Sequence, residues 1–214
     1  MAKKKVLRGE KDSLVRKAIP FSLSFGVILL DQFTKWLVVL SIPHGRIGAQ
    51  FFGDFLRFIF VNNPGIAFSM GKDMPDALRE VFFTALPLFV LAVLVAYYFR
   101  SDEFSRLQRW AIAGIVGGGC GNLIDRIFRP EGVVDFIDVK FFGLLGMERW
   151  PTFNVADSSV VVCGLLLAFS LFFGGRHRGT SRTAASGHDS RGTGPEAEGA
   201  GGADGSAGSQ GSHE

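Results

Sequence analysis

Four long apolar stretches, roughly residues 19–40, 81–99, 110–128 and 155–173, decide what this chain of 214 residues can fold into. Each is about 20 residues, enough for an α-helix to cross ~30 Å of hydrocarbon. A helix on the surface of a soluble bundle carries a polar stripe, yet 81–99 contains only Thr84 besides apolar, Pro and Tyr residues. A hydrophobic content of 47%, with 22 Phe, exceeds what a soluble domain needs. The expected fold is an all-α membrane protein of four transmembrane helices with a small sheet on one side of the bilayer.

A cleavable signal peptide also begins with basic residues and an apolar run. Here the run is too long, Asp31 and Lys35 interrupt it, and no small-residue cleavage site follows. It reads as the first transmembrane helix. The first 18 residues carry seven Lys or Arg, and Arg100, Arg106 and Arg109 surround the connection between the second and third stretches. Residues 41–79 hold four, spread widely. The positive-inside rule therefore puts both termini in the cytoplasm and the connections 41–80 and 129–154 outside.

Three parts follow along the chain: a basic cytoplasmic N-terminus (1–18), a helical domain (19–173) and a tail (174–214). The tail has no Ile, Leu, Val or Phe, and it holds 12 of the 28 Gly. Such a segment cannot offset its ordering entropy, so it is expected to be a disordered cytoplasmic tail. The connection at about 42–79 reads as a β-hairpin. Residues 51–61 are rich in strand formers and are punctuated by Asn62-Asn63-Pro64-Gly65, a turn signal, before Ile66-Ala67-Phe68. Residues 133–142 are also strand-like and suit the same sheet, because unpaired backbone near hydrocarbon is unfavourable.

Polar residues inside the apolar stretches need an explanation. Asp31 and Lys35 are four apart, hence on one helix face, in the favourable order for an ion pair. Asn122, Asp125 and Arg126 continue a stripe of small residues at Gly114, Gly118 and Gly121, which suits close helix packing better than a nucleotide loop. Asn154 and Asp157 open the last helix, where an N-cap and a favourable first-turn charge are the bland reading. With alternating helix directions, however, all these groups reach one level near the outer interface, beside Asp135 and the Asn62–Gly65 turn. Independent structural pairs have no reason to converge.

Convergent carboxylates without a His or Cys cluster point to aspartic chemistry. One carboxylate activates water while its partner supplies a proton. Cys120 and Cys163 fall inside helices, and the four His have no ligand spacing, so no metal or other cofactor is expected. Nor is a nucleic-acid partner. Spacing alone does not say which two Asp react. A small transporter or proton channel also uses intramembrane charges, but its path continues across the midplane, whereas 90–99 and 165–173 are nearly free of ionisable groups.

Five segments in order, Asp31-Gln32-Phe33-Thr34-Lys35, Asn63-Pro64-Gly65-Ile66-Ala67-Phe68-Ser69, Gly121-Asn122-Leu123-Ile124-Asp125-Arg126, Val133-Val134-Asp135-Phe136 and Phe153-Asn154-Val155-Ala156-Asp157-Ser158, resemble the lipoprotein signal peptidase (signal peptidase II) family over about 14–173. Ile66 stands where that family more often has Ala. The resemblance implies a bacterial inner-membrane aspartic peptidase with Asp135 and Asp157 as the catalytic pair and a β-cradle on the outer surface. Asp31, Lys35, Asn63, Asn122, Arg126 and Asn154 would shape the site or hold substrate, and Asp125 would be structural. The implied partners are membrane lipid and prolipoproteins carrying diacylglycerol on the lipobox Cys, cut just before that residue.

Overall fold

The computed structural model describes residues 14–65 and 75–174. The expected tail, apart from Gly174, lies outside the described residues, as do most of the basic N-terminus and Ile66 to Ser69. The order of elements is α1 (Phe21–Ser41), β1 (Ile47–Phe51), β2 (Leu56–Asn63), α2 (Asp76–Glu80), a π-helical turn (Val81–Ala85), α3 (Leu86–Arg100), α4 (Arg106–Phe128), β3 (Val133–Val139) and α5 (Val155–Gly174).

Among the described residues, three helical segments are long and apolar enough to cross a membrane: Leu14–Ser41, Ala77–Arg100 and Val155–Phe173, with mean hydropathies of 1.6, 2.3 and 2.1. Their outward faces are bare apolar surface, including Phe25, Leu29, Phe89, Val93, Leu165 and Phe172. Exposed apolar area on that scale belongs in lipid. The remaining long helix, α4, matches them in length at 23 residues but is richer in Gly and polar side chains. Protein covers much of it, with eleven of its residues buried. Its glycines show how closely: a Cβ on Gly118 would sit 2.3 Å from the Ala156 carbonyl oxygen of α5, and one on Gly117 2.7 Å from Ser24 Cα of α1. The small-residue stripe thus faces other helices, which lets backbones approach where Leu would hold them apart.

Sequence chemistry also sets the helix ends and the irregular turn. Ser105 and Gln108 open α4 with a capping box, each side chain bonding the other's backbone N–H. Before α3, the Leu86 N–H reaches back to the Val81 carbonyl, a π-type bond. Pro87 follows; it has no N–H to give Phe83, and its ring crowds that carbonyl.

The sheet is antiparallel in the order β1-β2-β3, so residues 133–139 do join the hairpin. The hairpin's tight turn lies at Phe52–Phe55, where Phe52 (φ 55°) and Gly53 (φ 74°) are left-handed, and not at Asn62–Gly65. Asn62 and Asn63 instead end β2, paired with Val134 and Val133 of β3. The ladder outweighs local turn propensity there. Val38 and Ile42 at the end of α1 pack against Val134 and Phe136 of β3, anchoring the sheet to the helices. A second cluster around Tyr98, Ile112 and Val116 closes the far end, where Phe21 begins α1.

Candidate active site

The polar residues of α1, α4, α5 and β3 meet where the sheet joins the helices. Lys35, fully buried, lies 2.8 Å from Asp31 Oδ2 and 2.9 Å from Asp125 Oδ2. Asp31 also accepts from the Ala156 N–H, and Asp125 from the Val134 N–H and from Arg129 Nε. Gln32 Nε2 spans Asp31, Asp125 and the Gly121 carbonyl. Every strong acceptor is engaged, as buried charges require. Lys35 then reaches the rest of the site through Asn122, donating to its Oδ1 at 3.0 Å.

Asp157 stands one layer further on. It accepts from Asn122 Nδ2 at 2.7 Å and from the Asn154 N–H at 3.1 Å, while its own N–H donates to Asn154 Oδ1 at 2.9 Å. The reciprocal pair is a capping arrangement, so the bland reading of Asn154 and Asp157 holds in full. It is only half of what Asn154 does. The amide nitrogen of the same side chain donates to Asp135 Oδ1 at 2.7 Å and approaches Asn122 Oδ1 and the Val134 carbonyl. One residue therefore holds both carboxylates.

Asp135 reaches the site from β3. Asn63 pairs with Val133, which puts it diagonally across the ladder from Asp135, and its Nδ2 donates to Asp135 Oδ2 at 3.0 Å. Its Oδ1 accepts from the Gly65 N–H, fixing the amide's orientation. Gly132 makes this approach possible: at φ 98°, a Cβ there would lie 2.5 Å from the Asn63 carbonyl oxygen. Asp135 is 2% exposed. Burial and the neighbouring Asp157 charge push its pKa up to about 7, against the opposing pull of the Asn63 and Asn154 amides and Lys35.

Arg126 forms no ion pair within the buried cluster among the described residues, although Asp125 is within its electrostatic reach. Its guanidinium lies 5.9 Å above the Phe83 ring and within electrostatic reach of Asp157 and Asp135. Its buried Nε has no hydrogen-bond partner among the described residues. A cavity of about 300 Å³ runs between α3, α4 and α5; Leu91, Val160 and Val161 line its apolar part, and Asn122, Arg126 and Asp157 its polar part.

Asp31, Lys35, Asn63, Asn122, Asp125, Arg126, Asp135, Asn154 and Asp157 thus gather in one neighbourhood. Gln32, Arg129 and the Asn154 bridge were not foreseen. Gln32 lay inside the first quoted segment, and its position beside Asp31 was the available signal. Asp138, also unforeseen, ties the sheet together through Arg57 at 2.6 Å and Arg149 at 2.7 Å.

The family model described as signal peptidase (SPase) II matches residues 23–173. The chain is 49% identical over 154 residues to the lipoprotein signal peptidase of Treponema pallidum, covering 72% of this chain and 83% of that one. The Treponema denticola protein of the same name is 51% identical over 157 residues, covering 73% and 90%. A bacterial membrane enzyme solved by the in meso method at 2.3 Å resolution superimposes with a TM-score of 0.64 at 25% identity, covering 78% of this chain and 95% of that one. A second such structure, at 1.9 Å resolution, gives 0.61 at 26% identity, covering 73% and 94%. A match across nearly the whole described helical region, with near-complete relatives at about half identity, means that this chain belongs to the signal peptidase II family of membrane peptidases.

Proposed function

We propose that the chain is an aspartic endopeptidase that removes the signal peptide from diacylglyceryl-modified prolipoproteins, cutting just before the lipidated Cys, with Asp135 and Asp157 as its catalytic pair. The observation that carries the pairing is Asn154, whose side chain bonds Asp135 while its backbone N–H bonds Asp157. Two carboxyls brought together in a desolvated site share one proton. The raised pKa of Asp135 makes it the holder of that proton near neutral pH.

In this reading Asp157 takes a proton from a water as the water's oxygen attacks the scissile carbonyl. Asp135 gives its proton to the carbonyl oxygen, forming a gem-diol. As that diol collapses, Asp157 gives the proton it took to the leaving amine, the C–N bond breaks and a diol hydroxyl returns its proton to Asp135, so the pair is restored and no acyl-enzyme forms. Asn63 and Asn154 keep Asp135 oriented, and Asn122 does the same for Asp157. Arg126, which lines the cavity beside Asp157, is the group for a substrate backbone carbonyl. Asp31, Lys35 and Asp125 are too buried to touch substrate and act by fixing Asn122 and the start of α5.

The lipid fits the same picture. All four long helices cross the inner membrane, both termini lie in the cytoplasm as the charge bias requires, and the sheet rests on the outer surface. A diacylated Cys keeps its acyl chains in the outer leaflet, at the level of the dyad, and the apolar wall of the cavity between α3, α4 and α5 admits the substrate from the side. The test is to incubate the purified full chain in detergent with one precursor in diacylated and unmodified forms. Cleavage confined to the diacylated form is expected. Equal cleavage of both overturns the substrate class.

A further inference from the structure

A second cavity, of about 530 Å³, opens at the opposite end of the helices, between the approach to α1 and the start of α4. At 1.5 Å per residue, α4 puts Asn122 roughly 24 Å from Arg106, so this cavity has no part in the chemistry of the dyad. Its lining includes four cations, Arg16, Lys17, Arg106 and Arg109, and one carboxylate, Asp102.

These groups are not equivalent. Lys17 is structural: its Nζ is 2.7 Å from Asp102 and donates to the Phe99 carbonyl at 2.8 Å, which ties the end of α3 to the approach to α1. Arg109 is pre-positioned, its Nε on the Phe104 carbonyl at 3.1 Å and its guanidinium 5.6 Å over the Tyr98 ring. Arg106 is exposed and forms no ion pair among the described residues. With Asp102 bonded to Lys17, Arg106 and the outer nitrogens of Arg109 are the guanidinium donors that no carboxylate among the described residues takes up. Planar, forked donors of this kind match a phosphate oxygen pair.

The apolar side of the cavity names the ligand's other half. Ile19 and Trp110 line it and are half-exposed on the outward face of the helices, with Leu107 beside them. Trp at this level belongs to the interfacial belt, where headgroup meets acyl chain. We infer that this cavity binds the phosphate of an anionic membrane lipid in the leaflet opposite the dyad, with the acyl chains running past Ile19 and Trp110. The inference stands independently of the substrate assignment, since it uses none of the site residues. Basic cavities between spans bind phosphate headgroups by this combination of charge and interfacial anchoring.

The experiment is native mass spectrometry of the full chain in detergent, titrated with short-chain phosphatidylglycerol, phosphatidylcholine or inorganic phosphate, with thermal unfolding read in parallel. Phosphatidylglycerol is expected to stay bound and raise the melting temperature. Arg106→Gln is expected to weaken it by about fivefold, Arg109→Lys by less, and Arg46→Gln, at the sheet end, to leave it unchanged. Phosphatidylcholine binding as tightly overturns the anionic preference. Stabilisation by inorganic phosphate equal to that by the lipid overturns the lipid assignment. Unaltered binding by a folded Arg106→Gln protein overturns the site.

Discussion

The two carboxylate pairs of this molecule lie side by side and are treated in opposite ways. Asp31 and Asp125 flank Lys35 at 2.8 and 2.9 Å, all three fully buried, and Arg129 adds a second cation to Asp125. Their charges balance. Asp135 and Asp157 form no ion pair among the described residues; their close partners are the amides of Asn63, Asn122 and Asn154. Amides orient a carboxylate without neutralising it, so the second pair keeps its mutual repulsion and its affinity for a proton. A balanced pair fixes structure, whereas an unbalanced one is available for proton transfer.

That contrast breaks most visibly at Lys35. Lys35→Met leaves two buried carboxylates facing each other and is expected to destabilise the fold by about 3–5 kcal/mol. Unfolding titrations in detergent check this, and a loss below about 1 kcal/mol would mean the ion cluster is not balanced as described. Next is Asn154→Ala, which removes the side-chain bond to the Asp135 carboxyl and the cap on the Asp157 N–H while leaving the backbone bond to the Asp157 carboxyl. Loss of a hydrogen bond to a charged group, about 1.5–3 kcal/mol, corresponds to a fall in cleavage rate of roughly ten- to a hundredfold. Steady-state kinetics with near-normal turnover would show that the bridge is only a helix cap.

The pH dependence sharpens the other side. Asp135 holds its proton until about pH 7, so cleavage is expected to fall as pH rises through that value if the proton is the one delivered to the carbonyl. A flat rate between about pH 6 and 9 contradicts that role. The same shift acts on stability. Because the folded-state pKa lies above the unfolded value of 3.8, the group's contribution is fully present below that value and is lost as pH rises through about 7. Asp135→Asn is therefore expected to gain stability relative to the parent over that window, in melting curves taken at each pH. The smallest effect is expected for Arg129→Ala. With a side chain 31% exposed and Lys35 still on Asp125, its loss is expected to change stability by less than about 1 kcal/mol.

What the sequence made legible follows physical range. Helix positions came through because apolar length is a local quantity, and the stripe of Gly114, Gly118 and Gly121 because only packing makes sense of it inside an apolar run. The strand 133–139 was visible, but the hairpin turn was misplaced: Asn62-Asn63-Pro64-Gly65 has the stronger local signal, while pairing with Val133 and Val134 depends on residues about 70 positions away. The π turn at Val81–Ala85 had a signal in Pro87 that the apolar pattern concealed. At the site, residue types and their common level could be read from motif order. The sorting into a balanced and an unbalanced pair could not, because it depends on which carboxylate Lys35 reaches and on Asn154 facing two partners at once. Asn154 was a cap by every local rule, and it is one.

The central claim is that the unbalanced pair does the chemistry and the balanced pair does not. Its most direct measurement is the single-turnover cleavage of a diacylated precursor by Asp135→Asn, Asp157→Asn and Asp125→Asn, each purified and shown to be folded. Either dyad variant is expected to lose cleavage altogether, while Asp125→Asn keeps measurable turnover in proportion to its remaining folded fraction. Near-normal cleavage by Asp135→Asn or Asp157→Asn, or complete loss in a fully folded Asp125→Asn protein, would contradict that claim.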